Sequence, residues 1–320
     1  MRPDTKCPEV MCIGSAVMDI TAEPISRDIP WQEKQRIRSI RMGVGGDAAN
    51  QAVHLADLGI YAGLCGCIGE DENGRFLEER LQERGVMTQY LVRRRDLATG
   101  TALVLLDDAG ERSAFSAGGA HYAVSRRDCE PWEDLPVRAI SLASLFSMPE
   151  LEKDGMKELL VNMGKRKIPV FADLASDKEG KGLKGIEAFL PFIDYFLPSL
   201  YDVKKLTGCG NAAEGAGILQ ALGCRNVIIK CGAEGCYVRS GDTGLQVPAL
   251  PVDPVDTTGA GDCMSALFIA GILEGWDVFE SAAYAAKGAS VSTLFMGACK
   301  EKITRERIRE YLQAAAPGTP

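Results

Sequence analysis

From residue 137 onward, short apolar runs alternate with helical patterns, and this alternation limits the possible folds more than any other feature of the chain. The runs 137–146, 168–173, 189–197 and 226–231 are apolar on both faces, as strands covered on two sides must be. Helical patterns occupy 150–166, 201–207 and 211–222 between them. Parallel strands need long crossovers, so the alternation predicts a mainly parallel sheet with helices on both faces, an α/β three-layer sandwich. Ala233-Glu234-Gly235 turns the last strand into Cys236-Tyr237-Val238, a small antiparallel edge. Upstream, 9–16 and 61–68 read as buried strands, and 73–84 as a charged amphipathic helix. Helices at 277–295 and 304–314 close the chain. No repeat, low-complexity run or linker divides it, which predicts one domain over 1–320.

Two segments depart from the alternation. Residues 22–41 place Arg36, Arg38 and Arg41 among Ile37 and Ile40, as a half-exposed strand does. The runs 99–106 and 111–116 flank Asp107-Asp108-Ala109-Gly110 like the arms of a hairpin. Together they predict a small β insertion built from segments near 15–45 and 98–120. The run Arg93-Arg94-Arg95 reads as a solvated loop.

The stretch Val255-Asp256-Thr257-Thr258-Gly259-Ala260-Gly261-Asp262 leads into an apolar helical run at 263–274. Glycines there allow a sharp bend and close approach of the backbone to a ligand. The amides of Gly259, Ala260, Gly261 and Asp262 open the helix, where unpaired N–H groups and the helix dipole favour an anion. Asp262 suits a helix start but repels that anion. The conflict resolves if Asp262 accepts a proton from a hydroxyl attacking a phosphoryl group. The plainer reading is a glycine-rich turn with Asp262 as a helix cap.

A second glycine turn, Gly43-Val44-Gly45-Gly46-Asp47-Ala48-Ala49-Asn50, opens a helix that stops at Gly59. Asp47 and Asn50, three apart, share one face of the first turn and suit the hydroxyls of a polyol. The rival, a phosphate-binding loop, lacks the G-x-x-x-x-G-K-S/T and strict G-x-G-x-x-G patterns. Asp19 follows the first strand, where α/β proteins bind ligands, although a solvated loop Asp fits equally. His54 reads as a core or helix-surface histidine.

The net charge of −8 and pI of about 5.1 argue against nucleic acid or an anionic membrane as the main partner. No apolar run approaches the ~18 residues of a membrane span, and 1–6 do not resemble a signal-peptide core. Many of the eleven cysteines, among them Cys12, Cys65, Cys231, Cys236 and Cys263, fall in strand or helix patterns. That usage fits free thiols in the cytoplasm, and Cys65-Gly66-Cys67 has no second pair at zinc-site spacing.

Gly45-Gly46-Asp47-Ala48-Ala49-Asn50, with Ala52, Gly59 and Gly69 at matching intervals, resembles the N-terminal signature of the ribokinase-like (PfkB) carbohydrate kinase family. Asp256-Thr257-Thr258-Gly259-Ala260-Gly261-Asp262 is similar to its C-terminal signature. The resemblance covers essentially the whole chain. It implies that Asp262 is the catalytic base, with the amides of Gly259, Ala260 and Gly261 as the anion hole. It assigns the sugar to Asp19, Gly45, Gly46, Asp47 and Asn50, and the ATP phosphates to Lys230 and the loop carrying Gly232 and Gly235. Asp256 and Thr258 match positions that hold a monovalent cation such as K+ in some members. The β insertion becomes a lid over the sugar, through which many members form homodimers. Four positions depart from the pattern. Ser199 and Asp202 replace the usual Asn and Glu that organise Mg2+ and phosphates, which implies altered metal binding. Leu267 replaces a small residue. Ser147 stands where ribokinases place a sugar-binding Glu, which argues against ribose itself. Glu301 replaces a Ser near the cation loop. A nucleoside kinase and a catalytically silent sugar- or nucleotide-binding regulator are the alternatives the same fold allows.

Overall fold

A computed structural model describes residues 7–26, 34–107 and 112–314. Strand Val10–Ile13 (β1) turns tightly into Val17–Glu23 (β2), and Ser39–Gly45 (β3) leads into helix Asp47–Asp57 (α1). Strand Ala62–Gly69 (β4), helix Glu72–Glu83 (α2) and strand Leu91–Arg94 (β5) precede the paired strands Thr101–Leu106 (β6) and Arg112–Ala117 (β7). Next come helix Arg126–Glu133 (α3), strand Ala139–Leu145 (β8), helices Pro149–Lys153 (α4) and Met156–Lys165 (α5), and strand Val170–Leu174 (β9). Strand Tyr195–Phe196 (β10), helices Leu200–Thr207 (α6) and Ala212–Ala221 (α7), and strands Asn226–Lys230 (β11), Cys236–Ser240 (β12) and Thr243–Val247 (β13) follow. Helices Ala260–Leu273 (α8), Val278–Ser292 (α9) and Arg305–Ala314 (α10) complete the described chain.

Nine strands form the central sheet in the order β13-β12-β11-β10-β9-β8-β1-β4-β5. Pairing is parallel from β11 through to β5 and antiparallel only at the β11-β12-β13 edge. Successive side chains of β1 enter different cores: Val10 and Cys12 pack with α1, α8 and α9, while Met11 and Ile13 pack with α3, α5 and α7. This period of two is why the strands read as apolar on both faces. A separate four-stranded sheet, in the order β3-β2-β6-β7, is the expected β lid. The turn at Asp107-Asp108-Ala109-Gly110 lies mostly outside the described residues.

Several local expectations change. Asp19 sits within β2, paired with Gly43 and Ala102, and not in a loop. The helix expected over 150–166 is two helices, broken at Asp154-Gly155. The strand expected over 189–197 shrinks to β10, because Pro191 and Pro198 cannot donate to a ladder. Part of the basic run Arg93-Arg94-Arg95 is the edge strand β5, and Arg94 Nη2 donates to Asp128 Oδ2 of α3 at 2.6 Å. That acid lies in α3, a helix absent from the sequence reading.

Candidate active site

Both glycine turns lie at the carboxyl ends of the parallel strands. At the first, Gly46 adopts φ +91, and a Cβ there would meet the Ser15 carbonyl oxygen at 2.6 Å, so only glycine fits. Ser15 serves the start of α1 twice. Its hydroxyl accepts the Asp47 amide at 2.9 Å and its carbonyl the Ala49 amide at 3.2 Å. The Ser15 hydroxyl is held in turn by Ser144 Oγ at 2.8 Å. Asn50, on the first turn of α1, donates from Nδ2 to Asp262 Oδ2 at 2.8 Å. The two signatures therefore meet in one hydrogen bond.

At the second turn, Gly259 takes the left-handed conformation, φ +75, and Ala298 lies where its Cβ would fall, at 2.6 Å. One expected anion-hole amide is already used: Ala260 N donates to Thr257 O at 3.2 Å. The next amides of α8 belong to the first turn, which no helix carbonyl can serve. Asp262 is half-buried and its proton affinity is raised, to a pKa of about 7. Burial is the main cause and the nearby Asp173 carboxylate adds to it, while the Asn50 amide and Lys230 oppose. A carboxyl of this kind can take and return a proton near neutral pH.

Asp173, absent from the sequence reading, stands at the end of β9 with 5% exposure. Its Oδ2 accepts Lys230 Nζ at 2.5 Å and Ser265 Oγ at 2.9 Å. The signal that could have found it is an acid ending an otherwise apolar parallel strand, on the ligand-binding edge of such a sheet. Lys230 lies over the start of α8, its Nζ 3.4 Å from where a Cβ of Gly261 would be. Ammonium and helix N-terminus thus converge on one spot.

A cavity of about 290 Å³ gathers Asp47, Asp173, Asp202, Asp262 and Lys230, with Ser199, Gly232, Gly259 and Gly261 on its wall. Burial raises the Asp47 carboxyl well above its usual range, with Asp262 and then Asp173 adding to the effect. Ser199 caps α6, accepting the Asp202 amide at 3.1 Å and donating to Asp202 Oδ2 at 2.5 Å. Lys230, Gly232 and Gly261 also border a larger cavity of about 820 Å³, which runs past Gly235 between the apolar Leu250, Met264, Ala286 and Ala289. The expected nucleotide residues are therefore brought together, with Gly235 further along the slot.

Asp19 is placed differently from Asp47. It rests on Gly45, where a Cβ would overlap its carboxylate, and it lines a third cavity of about 470 Å³ under the lid. Asp256 and Thr258 border the same cavity. The Asp256 carboxylate accepts Thr258 N at 2.9 Å and Gly297 N at 2.8 Å, tying the α8 turn to the loop at 296–300. Among the described residues no group of three or more His, Cys, Asp or Glu is placed to hold a metal ion. Mg2+ commonly needs only one or two carboxylates, completing its shell with water and phosphate oxygens, so the Ser199–Asp202 pair still fits it.

A glycine-gated helix start beside a half-buried lysine, facing a carboxyl of raised proton affinity, is chemically suited to hold an anion and to take a proton from a hydroxyl. The chain belongs to the pfkB family of carbohydrate kinases, whose model matches residues 8–304. It is 32% identical to an aminoimidazole riboside kinase of Salmonella typhimurium, over 83% of this chain and 80% of that protein. It also superimposes on a ribokinase of Arabidopsis thaliana complexed with ribose and ATP, with a TM-score of 0.81 and 25% identity, covering 96% of this chain and 99% of that one. A ribokinase-like protein of E. coli, in complex with ATP and Mg2+, shares the fold with a TM-score of 0.82 at 23% identity, over 96% and 99% of the two chains.

Proposed function

We propose that this kinase uses ATP to phosphorylate a hydroxyl of a sugar or sugar-like polyol, with Asp262 as general base. The observation that carries the reading is the Asn50–Asp262 hydrogen bond beside Lys230 at the open start of α8. Bound there, ATP would supply the phosphoryl group and Mg2+ would offset the negative charge of its phosphates. Lys230, Gly232 and Gly235 would hold the nucleotide, and Ser199 and Asp202 would hold the metal that accompanies it. Gly259, Ala260 and Gly261 shape the anion hole, in which the amides beyond Ala260 carry most of the interaction. Asp19, Gly45, Gly46, Asp47 and Asn50 hold the acceptor so that its hydroxyl faces Asp262. Asp262 then takes the hydroxyl proton as the bond from the acceptor oxygen to the γ-phosphorus forms and the bond from that phosphorus to the bridging oxygen breaks, leaving ADP. Positioning and charge stabilisation dominate such transfers, with the base contributing roughly 10²- to 10⁴-fold.

A monovalent cation such as K+ is assigned to Asp256 and Thr258, where the α8 turn and the 296–300 loop meet. Residues 1–320 are read as one domain with its lid. The outward row Met42, Ile20, Leu103 and Phe115 crosses all four lid strands, and Phe115 is 61% exposed. Such an apolar row on a small sheet supports a homodimer formed lid to lid. Eleven free cysteines support a reducing, cytoplasmic setting. No helix among the described residues is long and apolar enough to cross a membrane.

A riboside acceptor is the second reading. The cavity that begins at Asp19 continues along Val104, Leu106 and Met296, apolar surface that a bare polyol leaves uncovered. One experiment tests both readings: ADP formation measured across sugars, polyols and nucleosides. Acceptor-dependent turnover with either class is expected. Nucleotide binding without turnover of any acceptor would leave a silent regulator as the better account.

A further inference from the structure

Asp262 takes its hydrogen bond from an amide, and an amide can be turned end for end. Seen by shape alone, Asn50 fits its site either way. In one orientation Nδ2 donates to Asp262. In the other, Oδ1 lone pairs face the carboxylate and repel it. The carboxylate favours the first while it is ionised, but a protonated Asp262 tolerates either. A donor on the far side of Asn50 is therefore what holds the orientation throughout, and that side is occupied by Cys299.

The Cys299 thiol lies 3.3 Å from Asn50 Oδ1 and 3.7 Å from His54 Nε2. The nearer acceptor is the amide oxygen. Burial is the first cause holding this thiol well above its usual range, so it stays protonated and remains a donor. Its place does not depend on Asn50. The Cys299 carbonyl accepts from Arg84 Nη1, and Arg84 is itself paired with Asp57. Asp57 Oδ2 also accepts the Ile303 amide at 3.2 Å, and Asp256 holds Gly297 N on the other flank. The loop is strapped at both ends, with the thiol aimed inward between them.

We propose that Cys299 is a positioning residue, whose buried thiol donates to Asn50 Oδ1 and so keeps Asn50 Nδ2 turned toward Asp262. The inference rests on Asp262 acting as the base. No bond is made or broken by the sulfur. Its effect reaches the reaction only through Asn50. Donation from Nδ2 stabilises the Asp262 carboxylate against its proton, so losing the fixed orientation raises the proton affinity of Asp262. The other ionisable groups facing Asp262 are Asp173, Lys230, Asp47, Cys12 and Cys263. Those facing Cys299 are Arg84, Asp57, Cys263, Asp262 and His54. All of them are retained in the variants below.

The test compares Cys299→Ser, Cys299→Ala and Cys299→Val in the full chain by the pH profile of kcat, with melting temperature as the control for packing. Ser keeps a donor, Val keeps volume without one, and Ala keeps neither. Ala and Val should lower kcat about 3- to 10-fold at neutral pH, the size of one hydrogen bond, and move the acid limb to higher pH. Ser should retain the parental limb. Parental profiles in all three variants would overturn the proposal, as would a parental profile in Val with a displaced one in Ser, since volume would then be what matters. Asp262→Asn is measured alongside. If it turns over at the parental rate, the base assignment is what fails. If it is inactive while the Cys299 variants are parental, only the positioning role fails.

Discussion

Helices α1 and α8 begin alike and are used differently. Each follows a glycine with positive φ, Gly46 or Gly259, and neither start is capped by the side chain of that residue. At α1 the first amides are met inside the protein, by the hydroxyl and carbonyl of Ser15. At α8 one amide turns back to Thr257, and the rest of the turn faces a cavity under Lys230. Unpaired N–H groups are a binding site only where nothing else covers them. On the function proposed above, the first turn serves as a bracket that presents Asn50 and Asp47, and the second as a receptor for charge. The same glycine chemistry yields scaffold in one place and chemistry in the other.

Substitutions can break that contrast, beginning with the carboxyl at the receptor end. Asp262→Asn should lower kcat by about 10²- to 10⁴-fold while leaving ATP affinity near parental, measured by steady-state kinetics and calorimetric titration. Gly259→Ala comes next, since its Cβ would fall 2.6 Å from that of Ala298. The displaced turn should lower kcat about 10²-fold, the penalty for misplacing reacting groups by about an ångström. Gly46→Ala meets a backbone carbonyl instead and should show its larger loss in acceptor KM, because it moves the bracket. Equal KM changes in both variants would erase the distinction.

Lys230→Met sharpens the comparison from the electrostatic side. It leaves Asp173 buried without its cation, so stability should fall by about 3 kcal/mol in urea unfolding, and nucleotide KM should rise about tenfold. Ser15→Ala gives the smallest effect. Removing the hydroxyl under α1 should lower stability by about 1 kcal/mol, with at most a few-fold change in kcat. A catalytic loss as large as that of Gly259→Ala would mean that the two helix starts are not functionally distinct.

The layered fold was legible because alternation of apolar runs reports burial on two faces, as Val10 and Met11 entering opposite cores shows. The lid was legible for the opposite reason, since Arg41 and Ile40 alternate across a sheet open on one side. The two helix starts of the candidate site were legible because glycine is forced by the backbone at Gly46 and Gly259. What the sequence did not disclose is made of distant side chains meeting. Asp173 finds Lys230 and Ser265 across three elements, and Cys299 finds Asn50 across almost the whole chain. No local pattern encodes such meetings. Arg94 was misread for the same reason, because its partner Asp128 lies 34 positions further along the chain, on another element.

The central claim is that Asp262, held at a proton affinity near neutrality, is the group that must lose its proton before transfer. The pH dependence of kcat/KM for the acceptor measures this directly in the free enzyme. An acid limb with an apparent pKa of about 7 is expected, and it should vanish from the residual activity of Asp262→Asn. A parental profile that stays flat down to about pH 5, or a limb that survives the substitution unchanged, would contradict it.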